Sequence, residues 1–340
     1  MELSTLWFLL IAGLFVGYFV LEGFDFGVGM LVPVLGRDDR ERRVVINTIG
    51  PLWDGNEVWL ITAGGAMFAA FPEWYATLFS GFYLPLLLIL LALILRGVAF
   101  DYRGKRPEAA WRRRWDAAIV FGSAVPAFIW GVAFANIVRG VPLDAGHNFT
   151  GGLFDLLSPY ALLGGLTTTA LFLTHGAIFL ALKTAGDIRT RANRLAERFG
   201  LVAAVLAVLF LGLTLAHRST PAALVLSALA VLCLAGALVA NRLPSRTDAE
   251  GRREGWAFAG TALAIALAVA SLFAGLYPNV LPSTVDAAVN SLTVENASST
   301  PYTLKIMSWV AVVFAPIVVL YQGWTYWVFR KRIGTQHIPE

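Results

Sequence analysis

Seven stretches of this chain carry no Asp, Glu, Lys or Arg and are almost wholly apolar: Trp74–Leu95, Ala117–Val138, Pro159–Leu182, Phe199–Ala216, Thr220–Ala240, Trp256–Leu276 and Met307–Phe329. Each is close to the roughly 20 residues that a helix needs to cross the hydrocarbon of a bilayer. No single soluble core absorbs that much apolar chain. Of 340 residues 58% are hydrophobic and 14% charged, with a mean hydropathy of +0.69, whereas soluble domains are about a quarter charged. Two further runs, about Leu6–Leu35 and Val44–Phe71, are as long but contain acids. These observations predict an all-α integral membrane protein with nine transmembrane helices in one polytopic domain, residues 1–340. The short turn between Phe199–Ala216 and Thr220–Ala240 predicts an antiparallel hairpin.

The basic residues choose a side. Alternate loops, Arg37–Arg43, Arg96–Arg114, Lys183–Arg198 and Arg242–Arg253, together with the tail Arg330–Arg332, hold 23 of the 26 Lys and Arg. The opposite loops hold Arg139, Arg218 and Lys305. Cytoplasmic loops of membrane proteins are the basic ones, so the N-terminus is expected outside and the C-terminus in the cytoplasm. The net charge of +4 comes from these short loops and does not suggest nucleic acid as a partner. Glu2 and the absence of an early basic residue speak against a cleaved signal, so the first run is read as a retained helix. Cys233 stands alone in an apolar run, which excludes a disulfide framework.

The two acid-bearing runs carry the chemistry. The first contains "LEGFDFGVG", with Glu22 and Asp25; the second contains "GPLWDGNEVWL", with Asp54 and Glu57 beside Trp53 and Trp59. Each pair has i, i+3 spacing, which puts both carboxylates on one helix face. Asp54 is 11 residues from Arg43 and Asp25 is 12 from Arg37, about 16 and 18 Å at the helical rise. Four acids on two neighbouring helices are therefore expected at similar depth, with no Lys or Arg inside any span to neutralise them. An ionised group there costs at least about 2.5 kcal/mol on insertion scales. Burial and like-charge crowding both favour the protonated form, so some of these acids are expected to hold protons and to titrate as a coupled set. Buried acids that share protons suit a proton path. The competing structural reading has them hydrogen-bonded to Asn47, Asn56, Thr48 or an indole N–H, locking helices together; a third has the neutralising base supplied by another subunit.

Other features are weaker. His175 lies mid-span and lacks a second ligand, which favours a packed, hydrogen-bonded group over a haem or metal ligand. The GxxxG spacings Gly13/Gly17 and Gly23/Gly27 suit close helix packing. The tail "YQGWTYWVFRKR" reads as an interfacial aromatic belt with a cytoplasmic stop.

The segments "EGFDFGVGML", "RRVVINTIGPLWDGNEVWLITAGGAMFAAFP", "FSGFYLPL" and "SSTPYTLKIMSWVAVVFAPIVVLYQGWTYW" together resemble subunit II of the cytochrome bd quinol oxidase family, from the first helix to the last. The resemblance implies a multi-pass protein of the bacterial plasma membrane. The enzyme of that family oxidises quinol and reduces dioxygen to water, with protons drawn from the cytoplasm. Haem b, haem d and the quinol site belong to its subunit I, so this chain is expected to bind no haem or metal; a bound structural quinone or lipid is compatible with the family. Subunit I is the implied partner in a pseudo-symmetric heterodimer, sometimes with a small third subunit, amid membrane lipids. By position, Asp25 and Asp54 match acids of the family's proton route, and Trp59 an aromatic near its apolar dioxygen channel, whose walls Trp53 would help to shape. Glu22 and Glu57, expected to tune the aspartates, match positions where some members carry Asp or Gln. The competing class is a secondary transporter that uses the carboxylates as a coupling site.

Overall fold

The computed structural model of the chain describes residues 2–244 and 253–338. Residues 245–252, with Arg246 and Arg252 of the fourth basic segment, lie outside the described residues. Twelve helices follow in order: α1 (Leu3–Leu35), α2 (Asp39–Ile49), α3 (Trp53–Ala70), α4 (Pro72–Gly81), α5 (Tyr83–Tyr102), α6 (Ala109–Arg139), α7 (Pro159–Lys183), α8 (Gly186–His217), α9 (Pro221–Arg242), α10 (Glu254–Leu276), the short α11 (Ala287–Asn290) and α12 (Pro301–Val328). Between α10 and α12 a two-stranded antiparallel ribbon, β1 (Asn279–Leu281) and β2 (Leu292–Thr293), pairs Asn279 with Thr293 and Leu281 with Leu292. Among the described residues eight helices are long and apolar enough to cross a membrane: α1, α5, α6, α7, α8, α9, α10 and α12. The short connection 218–220 joins α8 to α9, and the two helices pack against each other as the expected hairpin.

Local sequence explains many helix starts. Ser158–Pro159, Thr220–Pro221 and Thr300–Pro301 repeat one signature, a hydroxyl N-cap followed by proline at the first helical position. Each hydroxyl accepts a backbone N–H three residues on, from Ala161, Ala223 and Thr303 respectively. Asp38 caps α2 in the same way, through the N–H of Glu41 at 2.8 Å.

α1 is the central element, packed against α3, α6, α7 and α10. The close crossing with α7 depends on glycine: a Cβ on Gly27 would stand 1.9 Å from the Phe172 carbonyl oxygen, and Gly176 faces it from α7. Gly23 takes the Phe172 ring and Gly17 the Trp59 ring in the same manner. α12 is the opposite case. Only Leu304 of its 28 residues is buried, so most of its length presents Trp309, Phe314, Leu320 and similar side chains outward.

The basic segments gather on one face of the molecule. Arg37 pairs with Asp187, Arg191 with Glu41, and Arg42 and Arg103 with Asp116, all within 3.0 Å. The tail returns to this face, where Ile333 N–H donates to the Lys183 carbonyl and Arg40 donates to the carbonyls of Thr335 and Ile338. The opposite face is closed by loops: Val141 bridges Ser283, Thr77 donates to the His147 carbonyl, and Ser299 N–H to that of Ala70.

The two runs that were expected as single spans are each divided. The run Val44–Phe71 breaks at Gly50–Leu52, between α2 and α3, so Asp54 stands in the first turn of α3 rather than in mid-helix. The run Trp74–Leu95 breaks at Phe82. Its first part, α4, lies along the looped face, with Thr77 and Gly81 both against the 147–149 loop. Its second part, α5, therefore begins nine residues later than expected and continues to Tyr102.

Candidate functional site

That displacement of α5 changes the charge balance. Counted from Trp74, Arg96 is the first residue of a basic loop. Counted from Tyr83, it is 13 residues into α5, about 20 Å along the helix. The expectation that no base lies inside a span is therefore corrected: Arg96 is fully buried, in the same place as the acids.

α1 supplies Glu22 and Asp25, both 0% exposed, from the helix face opposite Gly23 and Gly27. α3 supplies Asn56, also buried, and Glu57, whose side chain is 20% exposed. Arg96 Nη2 donates to Glu22 Oε1 and reaches Glu57 Oε2 at 3.5 Å. The guanidinium lies over the Phe26 ring, 4.7 Å from its centroid, with Phe100 at 6.0 Å. Cation–π attraction of this kind compensates part of the lost hydration. α6 approaches closely enough that a Cβ on Gly122 would be 2.5 Å from Arg96 Cβ.

Asp25 is held by a second set. Asn56 Nδ2 donates to its Oδ2 at 2.6 Å, and Asn56 Oδ1 accepts from Gln322 and Tyr326 of α12 at 2.9 and 2.8 Å. Asn56 thus joins α1, α3 and α12. Of the partners considered in the structural reading, Asn56 is used, whereas the Thr48 hydroxyl donates to the Val45 carbonyl. Among the described residues, five fully buried polar atoms in this region have no hydrogen-bond partner: Glu22 Oε2, Asp25 Oδ1, Arg96 Nε, Arg96 Nη1 and Ser123 Oγ. Such atoms are rare in protein interiors, and each calls for a physical explanation.

The structure thus brings together Glu22, Asp25 and Glu57. It leaves Asp54 exposed, at the edge of the cluster, one turn before Glu57. Trp53 packs on Phe100, ring centroids 5.2 Å apart, and on Gly97. Trp59 packs on Gly17 of α1. Neither tryptophan lines the large apolar cavity of about 550 Å³ that lies along α3, α4 and α5, walled by Leu60, Gly64, Phe68, Tyr75, Phe79 and Leu90 among others. Sequence reasoning missed Arg96, Gln322 and Tyr326. The available signal for Arg96 was the apolar "GVAF" after it, which continues a helix rather than opening a loop.

His175 is buried, stacked on Phe258 at 4.6 Å; Nε2 donates to the Val20 carbonyl and Nδ1 faces the Thr261 hydroxyl at 2.7 Å. With both ring nitrogens engaged it is a hydrogen-bonded core group, and it does not fit an axial haem ligand. Among the described residues no group of three His, Cys, Asp or Glu is arranged to hold a metal ion.

The profile of the cytochrome bd terminal oxidase subunit II family matches residues 3–329. A Bacillus subtilis (strain 168) protein named cytochrome bd ubiquinol oxidase subunit 2 is 45% identical over 338 residues, 98% of this chain and 97% of that protein. Cytochrome bd-I ubiquinol oxidase subunit 2 of Escherichia coli (strain K12) is 38% identical over 369 residues, 99% of this chain and 96% of that one. Among solved structures, the bd oxidase from Geobacillus thermodenitrificans contains a chain that superposes with a TM-score of 0.75 at 18% identity, covering 97% of this chain and 100% of that one, a likeness of fold alone. A helical membrane protein matched by this family along nearly its whole length belongs to the cytochrome bd terminal oxidase subunit II family, as a multi-pass plasma-membrane subunit of a bacterial respiratory oxidase.

Proposed function

We propose that this chain delivers cytoplasmic protons, and gives dioxygen access, to a haem-bearing subunit I that oxidises quinol and reduces dioxygen to water. The relatives are named ubiquinol oxidase subunits, and within such an enzyme the buried carboxylates are oxidase machinery rather than a transporter's coupling site. Haem b and haem d belong to the partner in this reading, consistent with the engaged nitrogens of His175.

The observation that carries the proton role is the cluster itself. Glu22, Asp25 and Glu57 converge inside the protein, and Asp54 stands exposed at its edge. A chain of carboxyl groups from an exposed aspartate to fully buried ones is what stepwise proton transfer requires. The dioxygen role rests on the apolar cavity beside α3, with Trp53 and Trp59 bracing α3 against α5 and α1. The topology proposed is nine spans with the C-terminus cytoplasmic. Its support is the gathering of basic segments on one face, and the α2–α3 pair, which leads from that face to the looped one and supplies a ninth span to the eight uninterrupted helices.

Asp54→Asn in the assembled oxidase tests the proton role. Turnover is expected to fall while the reduced-minus-oxidised haem spectrum stays at wild-type intensity. Normal turnover with intact haems refutes the relay; loss of haem in parallel with activity assigns Asp54 a structural role instead.

A further inference from the structure

Among the described residues three arginines, Arg96, Arg103 and Arg189, are buried against buried carboxylates, and one of these contacts is built differently. Arg189 meets Glu254 as fork to fork, Nε to Oε1 at 2.8 Å and Nη2 to Oε2 at 3.0 Å. Arg103 meets Asp116 in the same way, Nε to Oδ1 at 2.5 Å and Nη2 to Oδ2 at 3.4 Å. Paired contacts of this kind hold two side chains in one geometry and are the strong form of the interaction. Arg96 makes neither. One nitrogen, Nη2, serves two carboxylates on two helices, as Arg103 Nη2 also does with Asp116 and Asp39, but around Arg96 no second contact completes a fork: among the described residues Nε, Nη1 and Glu22 Oε2 are buried without a hydrogen-bond partner. A guanidinium evolved only to lock α5 onto α1 gains more from the fork that Arg189 makes.

The surroundings restrict what this arrangement does. Towards Arg96, α1 presents Tyr18, Glu22 and Asp25; α3 presents Glu57, with Asp54 behind it; α6 presents Gly122; and Tyr326 of α12 reaches Asp25 through Asn56. One cation faces three carboxyl groups, so it compensates a single negative charge among them. The Phe26 and Phe100 rings and the Gly122 contact hold its stem and plane in place. Only the choice of carboxylate is left open, the contact with Glu22 being close and that with Glu57 at 3.5 Å.

Resting on the proton-delivery reading, we infer that Arg96 is the positioning residue of the relay: it couples Glu22 to Glu57, so that the proton occupancy of one depends on that of the other. A proton reaching Glu57 passes inward when the Glu57 O–H bond breaks and an O–H bond forms on Glu22. The guanidinium keeps all its protons and transfers its close contact to Glu57, which has become the anion. No co-reactant is needed. Glu57, the one partly exposed acid of the three, is the entry side, and the direction of flow is set by proton consumption in oxygen reduction.

The test uses the assembled oxidase carrying Arg96→Gln or Arg96→Lys, with haem spectra, turnover against pH, and redox-difference infrared spectra of carboxylic C=O bands. Arg96→Gln is expected to keep its haem bands, lose turnover on the order of tenfold or more and displace the pH profile. Arg96→Lys restores the charge without the guanidinium's reach to both acids, and is expected to recover part of the turnover on a profile still displaced from wild type. Wild-type turnover and profile in Arg96→Gln overturn the inference. Should Arg96→Gln fail to assemble, the infrared spectra decide: the band lost in Glu22→Gln is expected to shift in Glu57→Gln, and an unmoved band overturns the coupling. Normal turnover in Asp54→Asn with intact haems defeats the proton reading itself, whereas loss in Asp54→Asn and none in Arg96→Gln defeats only the role of Arg96.

Discussion

The residue on which the site turns is Asn56, because three helices meet at its amide. It donates to Asp25 of α1 and accepts from Gln322 and Tyr326 of α12. Leaving a buried donor or acceptor unpaired costs about 1–3 kcal/mol, and Asn56→Leu removes both of its functions at once. The variant is expected to lower thermal stability in detergent by that order and to reduce turnover, since Asp25 then loses the hydrogen bond from Asn56. An unchanged melting temperature, measured on the purified complex, would show that the amide bonds are replaced at no cost. Asn56 was legible only as one of several candidate partners, beside Asn47, Thr48 and an indole N–H, because each lies close to the acids along the chain. Its dependence on α12 was not, because Gln322 and Tyr326 are more than 260 residues away along the chain, and no local pattern links them.

At the scale of elements, hydropathy locates helices better than it locates their ends. The apolar run from Trp74 to Leu95 is continuous, yet α4 turns along the looped face before α5 enters the interior at Tyr83. "PEWYATLFSG" is apolar enough to read as part of a span, but it begins with a helix-starting proline and ends in glycine, the punctuation of a separate helix. Misplacing that start by nine residues is what moved Arg96 into a loop. The glycine spacings carried a more exact message, and they supply a paired test. Gly27 has the Phe172 carbonyl where a Cβ would go, whereas Gly13 has nothing within 4 Å. Backbone does not yield as a side-chain tip does, so Gly27→Ala is expected to destabilise the chain by about 1–3 kcal/mol through overpacking of α1 on α7. Gly13→Ala is expected to stay within about 0.5 kcal/mol of wild type, as surface changes do. Equal melting temperatures for the two variants would show that the α1–α7 crossing relaxes freely.

For the whole molecule, charge asymmetry and tertiary structure constrain each other. Like-charged loops have no reason to collect on one face of a soluble protein, yet Arg37, Arg40, Arg42, Arg103, Arg191 and Arg332 all meet carboxylates or carbonyls on the same face. In the proposed topology this is the cytoplasmic face, where basic residues collect, and the ion pairs there satisfy positive charge without dispersing it. Exposed pairs such as Arg37–Asp187, with side chains 66% and 60% exposed, contribute about 0–1 kcal/mol to stability, so topology explains their concentration better than folding energy does. The tail, seated on Lys183 and Arg40, fixes the end of α12 to that face, while Trp7 on α1 donates to the Leu304 carbonyl and the Ser308 hydroxyl near its start. α12 is thus tied at both ends and exposed between them, a broad apolar surface of the kind that lipid or subunit I covers. The orientation is open to a direct test on a background in which Cys233 is replaced by Ser. A membrane-impermeant maleimide applied to intact cells is expected to label a cysteine at the exposed Asn148 and to spare one at the exposed Lys105. Permeabilised cells are expected to label both. Labelling of the Lys105 position in intact cells would invert the molecule, and with it the side from which protons reach Asp54.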